Sequence, residues 1–415
     1  MTTTSMVVTM QHWIEMMRLL PGLRLFPLLK SRPGTIVTAC MIFQTWPLLV
    51  LTIYLNLELL LQFTIIVQRP PITHQAVPEA SGASLPLLQT AAWLKLAQRA
   101  IKQIQQTFIK FIFKMTPKFS LETIPLHSTA SNATFEIDVW RYHHPDATKT
   151  VYLQAGIHGI ELTGIPVVHE FMKEIEAQQL VYNFICVPLS NPMGLDSQIM
   201  GIQTGYNNLH TNQQNCWNWN RIGNLKDEPS QEGHWIKTLL DLSAPADIVL
   251  DLHTAGVETT PHIYFHESEK EHVTGLGIPH LLSWKVPSDS FSDTNFQRGK
   301  VALTFELSSS RSVHGERVKE SLIYLRRFFG MLPKVDGSRV WNTEKQLKKW
   351  YSPAGGILCW HKDAGDAVRE GEVIATLYTR KGSLDLESPY TGVLLLKNPI
   401  HAPHERQELA KFLVE

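Results

Sequence analysis

The sequence predicts an α/β fold followed by a small all-β unit, and three observations carry that prediction. Thr150-Val151-Tyr152-Leu153-Gln154-Ala155 is a β-rich apolar run that turns through Gly156 and Gly159 into Leu162 to Ile175, where apolar residues recur at helical spacing. Ile248-Val249-Leu250 and Val301 to Leu307 are further short apolar runs, each leading to or holding charged residues. From Ser352 onward, short β-like runs are divided at Gly355-Gly356, Asp363-Ala364-Gly365-Asp366, Glu370-Gly371 and Pro389-Tyr390-Thr391-Gly392. Turns at that regularity mark an all-β unit.

A chain of 415 residues, 44% hydrophobic and 18% charged, can bury a sizeable core and has room for more than one domain. Its formal net charge of zero argues against a nucleic-acid partner. The balance conceals an asymmetry. Residues 1–114 hold ten Lys and Arg against three Asp and Glu, a surplus of +7 that the rest of the chain offsets with −7.

Residues 1–114 read as an N-terminal extension of a different kind. Gly34 to Leu57 contains no charged residue, and 36–57 is long enough to cross a bilayer, for which about 20 apolar residues suffice. Lys30 and Arg32 before it and Glu58 after it would keep the N-terminus in the cytoplasm and anchor the rest outside. The first residues lack the charged start and immediate apolar run of a cleaved signal peptide. Residues 70–90, with Pro70, Pro71, Pro78, Gly82 and Pro86, have the composition of a linker. Residues 91–113 set Lys95, Arg99, Lys102 and Lys110 among Trp93, Leu94, Ile101, Ile104, Phe108 and Phe111. That is a basic amphipathic helix, for a membrane surface or for the next domain. The competing reading is that translation starts at Met115, where ordinary globular sequence begins. The localisation expected is cytoplasmic, with a membrane anchor through 36–57 as the alternative.

Residues 115–345 carry the chemistry. His158 and Glu161 are three apart, so a short helical turn puts both on one face, and His253 supplies a third ligand from a distant strand. Two His and one Glu are the usual catalytic zinc set for one ion, with a fourth position left to water. Strand alternation puts Asp251 on the same face as His253, where a carboxylate can hold the imidazole in its ligating tautomer. Glu306 stands alone inside Val301-Ala302-Leu303-Thr304-Phe305-Glu306-Leu307, a costly place for a carboxylate without a partner or a job. It is either a general base with a raised pKa or a strand-end Glu paired with an Arg. The isolated His169, His210, His262 and His280 read as structural or exposed. Cys40, Cys186, Cys216 and Cys359 form no C-x-x-C pair and suggest free thiols in a reducing compartment.

His158-Gly-Ile-Glu161, Asn218-Trp-Asn220-Arg221, Asp251-Leu-His253-Thr and Thr304-Phe-Glu306-Leu, in that order, resemble the succinylglutamate desuccinylase/aspartoacylase family of the zinc carboxypeptidase superfamily. The resemblance covers roughly residues 120 to 415. It implies a mixed, mostly parallel sheet flanked by helices, zinc on His158, Glu161 and His253, and Glu306 as base. It also implies hydrolysis of an amide or ester bond in a small acylated amino compound. Asn220 and Arg221 match the pair that grips the substrate carboxylate, a role suited to the planar fork of Arg. Two departures stand out. The family often has Asp where Asn218 stands, and an upstream Arg that polarises the scissile carbonyl, for which Arg298, Arg311 or the metal would have to substitute here.

Residues 346–415 resemble the barrel-sandwich fold of lipoyl and biotinyl domains. Lys381 lies seven residues before Ser388-Pro389, but its neighbours Arg380 and Gly382 do not resemble an attachment sequence, which favours a lid or oligomer contact. The function expected is therefore a zinc-dependent deacylase acting on a small-molecule acylated substrate. Carboxypeptidase-like peptide cleavage is a sibling reading, and a non-catalytic binding or carrier module built on the C-terminal barrel is the other class.

Overall fold

The computed structural model describes residues 102–103, 117–128, 131–196, 198–199, 202–203, 218, 220–222, 229–255, 258–308, 313–398 and 400–415. The expected span 36–57 and linker 70–90 lie outside these residues, as do Met115, Cys40, Cys216, His210, Arg311 and, apart from the helical Lys102 and Gln103, the expected helix 91–113. Among the described residues no helix is long and apolar enough to cross a membrane. Cys186 and Cys359 are free thiols, the first buried and the second exposed.

Twelve strands precede the C-terminal unit: β1 (Lys118–Ser128), β2 (Thr134–His143), β3 (Thr150–Ala155), β4 (Asn183–Val187), β5 (Gln198–Ile199), β6 (Ile202–Gln203), β7 (Ile248–Thr254), β8 (Glu258–Thr259), β9 (His262–His266), β10 (His280–Trp284), β11 (Val301–Leu307) and β12 (Arg339–Asn342). Nine of them form one sheet in the order β1-β2-β4-β3-β7-β11-β9-β10-β12. The pairs β3·β4, β3·β7, β7·β11, β9·β10 and β10·β12 are parallel, while β1·β2, β2·β4 and β11·β9 are antiparallel. The sheet is mixed and mostly parallel, as expected.

Alternation along the strands builds two cores. Val151, Leu153, Leu250, Leu252, Leu303 and Phe305 face the helices Gly164–Gln178 and Gly315–Phe328, which contribute Val167, Phe171, Leu322 and Leu325. On the other face Tyr152, Val249 and Ala302 meet Trp235, Ile236 and Leu239 of the helix Gln231–Ser243, and Phe291 of the helix Phe291–Gln297. The even and odd positions of β3, β7 and β11 thus serve opposite faces, so Gln154, Asp251, His253, Thr304 and Glu306 share one face with Tyr152. Every buried side chain of this kind removes apolar area from water at about 25 cal/mol per Å², which is why the polar exceptions among them call for a reason.

The C-terminal unit is antiparallel throughout: β13 (Leu347–Tyr351), β14 (Ile357–Trp360), β15 (Ala367–Val368), β16 (Val373–Thr379), β17 (Gly382–Glu387), β18 (Gly392–Lys397) and β19 (Glu408–Val414). The sheets β13-β19-β18-β15 and β14-β16-β17 enclose Leu358, Ile374, Leu377, Leu394 and Phe412. Two features bind it to the part of the chain that carries the main sheet. β8 pairs with β18, where the buried Lys397 ammonium bridges Glu258 and, at 3.3 Å, Asp363. Leu395 and Leu413 pack with Leu282 of β10 and Trp341 of β12.

Candidate active site

The chemistry-bearing residues collect at the carboxyl ends of β3, β7 and β11, where an open α/β sheet usually presents its site. Beyond β3 the chain turns sharply. Gly156 adopts φ +70, and the His158–Glu161 turn is closed by Glu161 N–H donating to His158 O at 3.0 Å. Gly159 is required by contact: a Cβ there would lie 2.1 Å from the backbone carbon of Gly194. Asn191 fixes the same turn from below, its Nδ2 donating to Ile157 O at 3.0 Å while its Oδ1 accepts from Gly194 N at 2.8 Å. The sequence His-Gly-Ile-Glu therefore folds into a turn that rests directly on backbone, leaving its two polar side chains to face β7.

There His158, Glu161 and His253 converge, one ligand atom of each lying within 4.8 Å of the others. Glu161 stands between the imidazoles: Oε1 lies 2.9 Å from His158 Nδ1 and Oε2 lies 2.9 Å from His253 Nδ1. The outer nitrogens are both held. His253 Nε2 meets Asp251 Oδ2 at 2.8 Å, and His158 Nε2 meets Asn218 Oδ1 at 2.9 Å. Asp251 is itself fixed, since Gln154 Nε2 donates to its Oδ1 at 2.9 Å and Tyr152 O–H donates to Gln154 Oε1 at 2.8 Å. This chain of buried hydrogen bonds orients the imidazoles so that both Nδ1 atoms point at one place. An inward pair of nitrogens, a carboxylate between them and acceptors behind them are the donor set and outer support that a zinc ion requires.

Electrostatics agree with that fit. Burial would raise the Glu161 carboxyl, but the two imidazoles outweigh it and hold it at about 2. Burial would lower His253, yet Asp251 and Glu161 carry it well above its usual value. A cation entering here displaces a proton from His253, so metal uptake weakens as pH falls.

Glu306 sits on β11 directly opposite His253 in register. Burial pushes its carboxyl up to about 7 against the opposing pull of His253, and Oε2 is buried without a hydrogen-bond partner. No Arg pairs with it among the described residues, which removes the strand-end ion pair as an account of its presence.

Asn220 and Arg221 lie beside the cluster, in different states. Asn220 is buried, its Oδ1 accepts from Phe291 N at 2.7 Å and its Nδ2 is 3.5 Å from His253 Nε2. It latches the loop to the helix Phe291–Gln297. The Arg221 guanidinium is partly exposed, donating to Asn220 O at 2.7 Å with Asp289 at 3.7 Å from Nε. Arg298 cannot polarise a carbonyl at this site. It bonds Leu240 O at 3.5 Å and precedes β11, whose first residue is already roughly 17 Å of strand from Glu306 at about 3.3 Å per residue. His262, read from sequence as structural or exposed, is buried next to Glu306 on β9, and no sequence signal shows this because it depends on strand register. Gln154 left a fainter signal, as a lone amide in an apolar run.

Residues 147–328 match the family model described as the succinylglutamate desuccinylase/aspartoacylase catalytic domain, which bears out the resemblance read from the order of motifs. Solved structures share the fold. A succinylglutamate desuccinylase/aspartoacylase family protein from Shewanella amazonensis is 22% identical, with 71% of this chain and 99% of that one aligned at a TM-score of 0.62. An aspartoacylase family protein from Mesorhizobium loti is 21% identical over 73% and 97%, at 0.55. The product-bound ectoine utilization protein EutE (DoeB) of Ruegeria pomeroyi is 17% identical over 72% and 95%, at 0.59. No curated protein matches the chain.

Proposed function

We propose, from the premise that residues 147–328 carry a succinylglutamate desuccinylase/aspartoacylase catalytic domain, that this protein is a zinc-dependent deacylase. Its substrate is a small N-acyl amino acid or related compound with a cleavable amide or ester bond. The observation that carries the reading is the convergence of His158, Glu161 and His253 beside a buried, unpartnered Glu306 oxygen. Zinc held there would supply a Lewis acid that activates water at neutral pH. The protein's own part is positional. Asp251 and Asn218 orient the imidazoles, and Glu306 takes a proton from water and returns it to the leaving group, for which a carboxyl near neutrality is suited. Arg221 offers its guanidinium to a substrate carboxylate, anchored from behind by Asn220 O and Asp289.

The test is elemental analysis of the purified protein followed by a screen of N-acyl amino acids. One zinc per chain and hydrolysis of at least one such substrate, abolished by chelation and restored by zinc, is the expected result. A metal-free protein that neither takes up zinc nor cleaves any member of the panel would sink the reading.

A further inference from the structure

His262 lies on the far side of Glu306 from the metal ligands. On β9 it is the register partner of Glu306, which is in turn the partner of His253, so the three side chains form a row over β7, β11 and β9. Strand spacing sets neighbours in that row roughly 5 Å apart. His262 is 1% exposed, and its Nδ1 lies 2.9 Å from Thr260 O, which can only accept. Nδ1 therefore carries the proton, and Nε2 is an acceptor, buried and without a partner among the described residues. The ring is held in that state. Thr260 N–H donates to Leu395 O of β18 at 3.1 Å, and Tyr264 packs edge-on with 5.2 Å between ring centroids. Burial keeps the imidazole neutral, its pKa pushed down to about 3.

A buried acceptor left unmade is costly, and such atoms persist where a ligand completes them. The reaction decides which ligand atom comes here. A general base that returns its proton to the leaving group must lie within hydrogen-bond distance of the leaving atom, about 3 Å. The scissile carbonyl belongs on the His253 side of Glu306, so the leaving atom falls toward β9 and His262 Nε2. In an amide that atom is a nitrogen with an N–H to donate; in an ester it is an oxygen with lone pairs only. An acceptor on the N–H also serves the chemistry. It pushes electron density onto the nitrogen, which must take the proton from Glu306 as the C–N bond breaks.

We propose that His262 is the residue that makes this enzyme an amidase rather than an esterase: its Nε2 accepts from the N–H of the scissile bond and then from the amine that leaves. The inference rests on the deacylase reading and narrows it to one of its two bond types. An ester oxygen in the same place sets lone pairs against the lone pair of the imidazole and leaves the buried acceptor unmade. Sites built to bond an N–H reject analogues that lack it for this reason.

The test uses the full chain and the variants His262→Leu and His262→Gln, each checked for an unchanged melting temperature. Two substrates are compared: the N-acyl amino acid that the wild type cleaves fastest, and the O-acyl ester of the matching 2-hydroxy acid, which differs from it by O in place of N–H. His262→Leu should lower kcat/KM for the amide by roughly 10- to 100-fold and leave the ester unchanged or faster. His262→Gln, whose Oε1 can accept, should recover most of the amide rate. A readout without turnover comes from nitrogen NMR of wild type labelled in its His rings, with the His262 Nε2 resonance identified by its loss in the variants. That resonance should move when a phosphonamidate analogue of the amide binds and stay in place with the corresponding phosphonate ester. Equal losses on amide and ester in His262→Leu overturn the proposal, as does an Nε2 resonance that ignores the phosphonamidate; the NMR result decides alone if His262→Leu does not fold. Equal losses sink this inference and leave the deacylase reading standing, whereas a wild type that cleaves no N-acyl amino acid sinks both.

Discussion

The two sides of the site differ in how completely their polar atoms are used. On the metal side, from Tyr152 through Gln154, Asp251, His253, Glu161 and His158 to Asn218, each side chain is bonded to the next in an unbroken chain. On the far side, Glu306 Oε2 and His262 Nε2 are buried without partners. The difference separates what the protein fixes in advance from what it leaves for a ligand. A fully satisfied network is rigid and holds a metal geometry, whereas unsatisfied atoms store affinity for whatever completes them.

The largest effect should come from breaking the satisfied side at its centre. His253→Ala removes one ligand and leaves Asp251 buried without its imidazole, so stoichiometric zinc and all turnover should be lost together by elemental analysis and assay. Normal zinc content in that variant would mean the ion sits elsewhere. Glu306→Gln attacks the open side instead. It should retain zinc yet lose roughly 10² to 10⁴ in kcat, the usual worth of a general base. Full activity there would remove Glu306 from the mechanism.

A subtler change tests whether the outer hydrogen bonds matter. Asp251→Asn keeps size and burial but removes the charge behind His253, and second partners of this kind are typically worth about 10- to 100-fold in metal affinity. Competition with a chelator of known strength measures it, and an unchanged affinity would reduce the Tyr152–Gln154–Asp251 chain to packing. Arg221→Lys keeps charge but loses the two-point geometry. The expected cost is about tenfold in kcat/KM on a free-carboxylate substrate and less on its methyl ester. Equal losses on both would withdraw the carboxylate anchor.

The same contrast explains how much could be read from sequence. The α/β class and the β-rich end were legible because apolar periodicity and Gly-bearing turns are local signals, and they recur in β3, β7, β11 and β14 to β18. The convergence of His158, Glu161 and His253 was legible for a similar reason, since each sits at a strand end marked by its own motif. His262 was not. Its place beside Glu306 comes from the antiparallel pairing of β9 with β11, which leaves no mark on neighbouring residues. Arg298 shows the converse error: its charge suggested a role, but it precedes β11 at the end of the strand away from the site.

The smallest expected effect concerns the open side in the absence of metal. Burial raises the Glu306 carboxyl from 4.5 to about 7 in the folded protein, so the fold binds a proton there that the unfolded chain has already released between those values. A raised carboxyl works against stability as pH climbs: its penalty is absent below about 4.5, grows through the interval, and is complete above about 7. Other groups titrate over the same range, His253 among them, so the useful quantity is a difference. In chelated protein the melting temperature of Glu306→Gln should rise relative to wild type as pH goes from 5 to 8, by a few degrees for a penalty of at most about 3 kcal/mol. Restoring zinc should shrink that rise, because a cation beside the carboxylate offsets its desolvation. A difference that stays flat with pH in the chelated protein would show that Glu306 is hydrated in solution, and the contrast between a closed metal side and a dry, waiting substrate side would then fail at its most important residue.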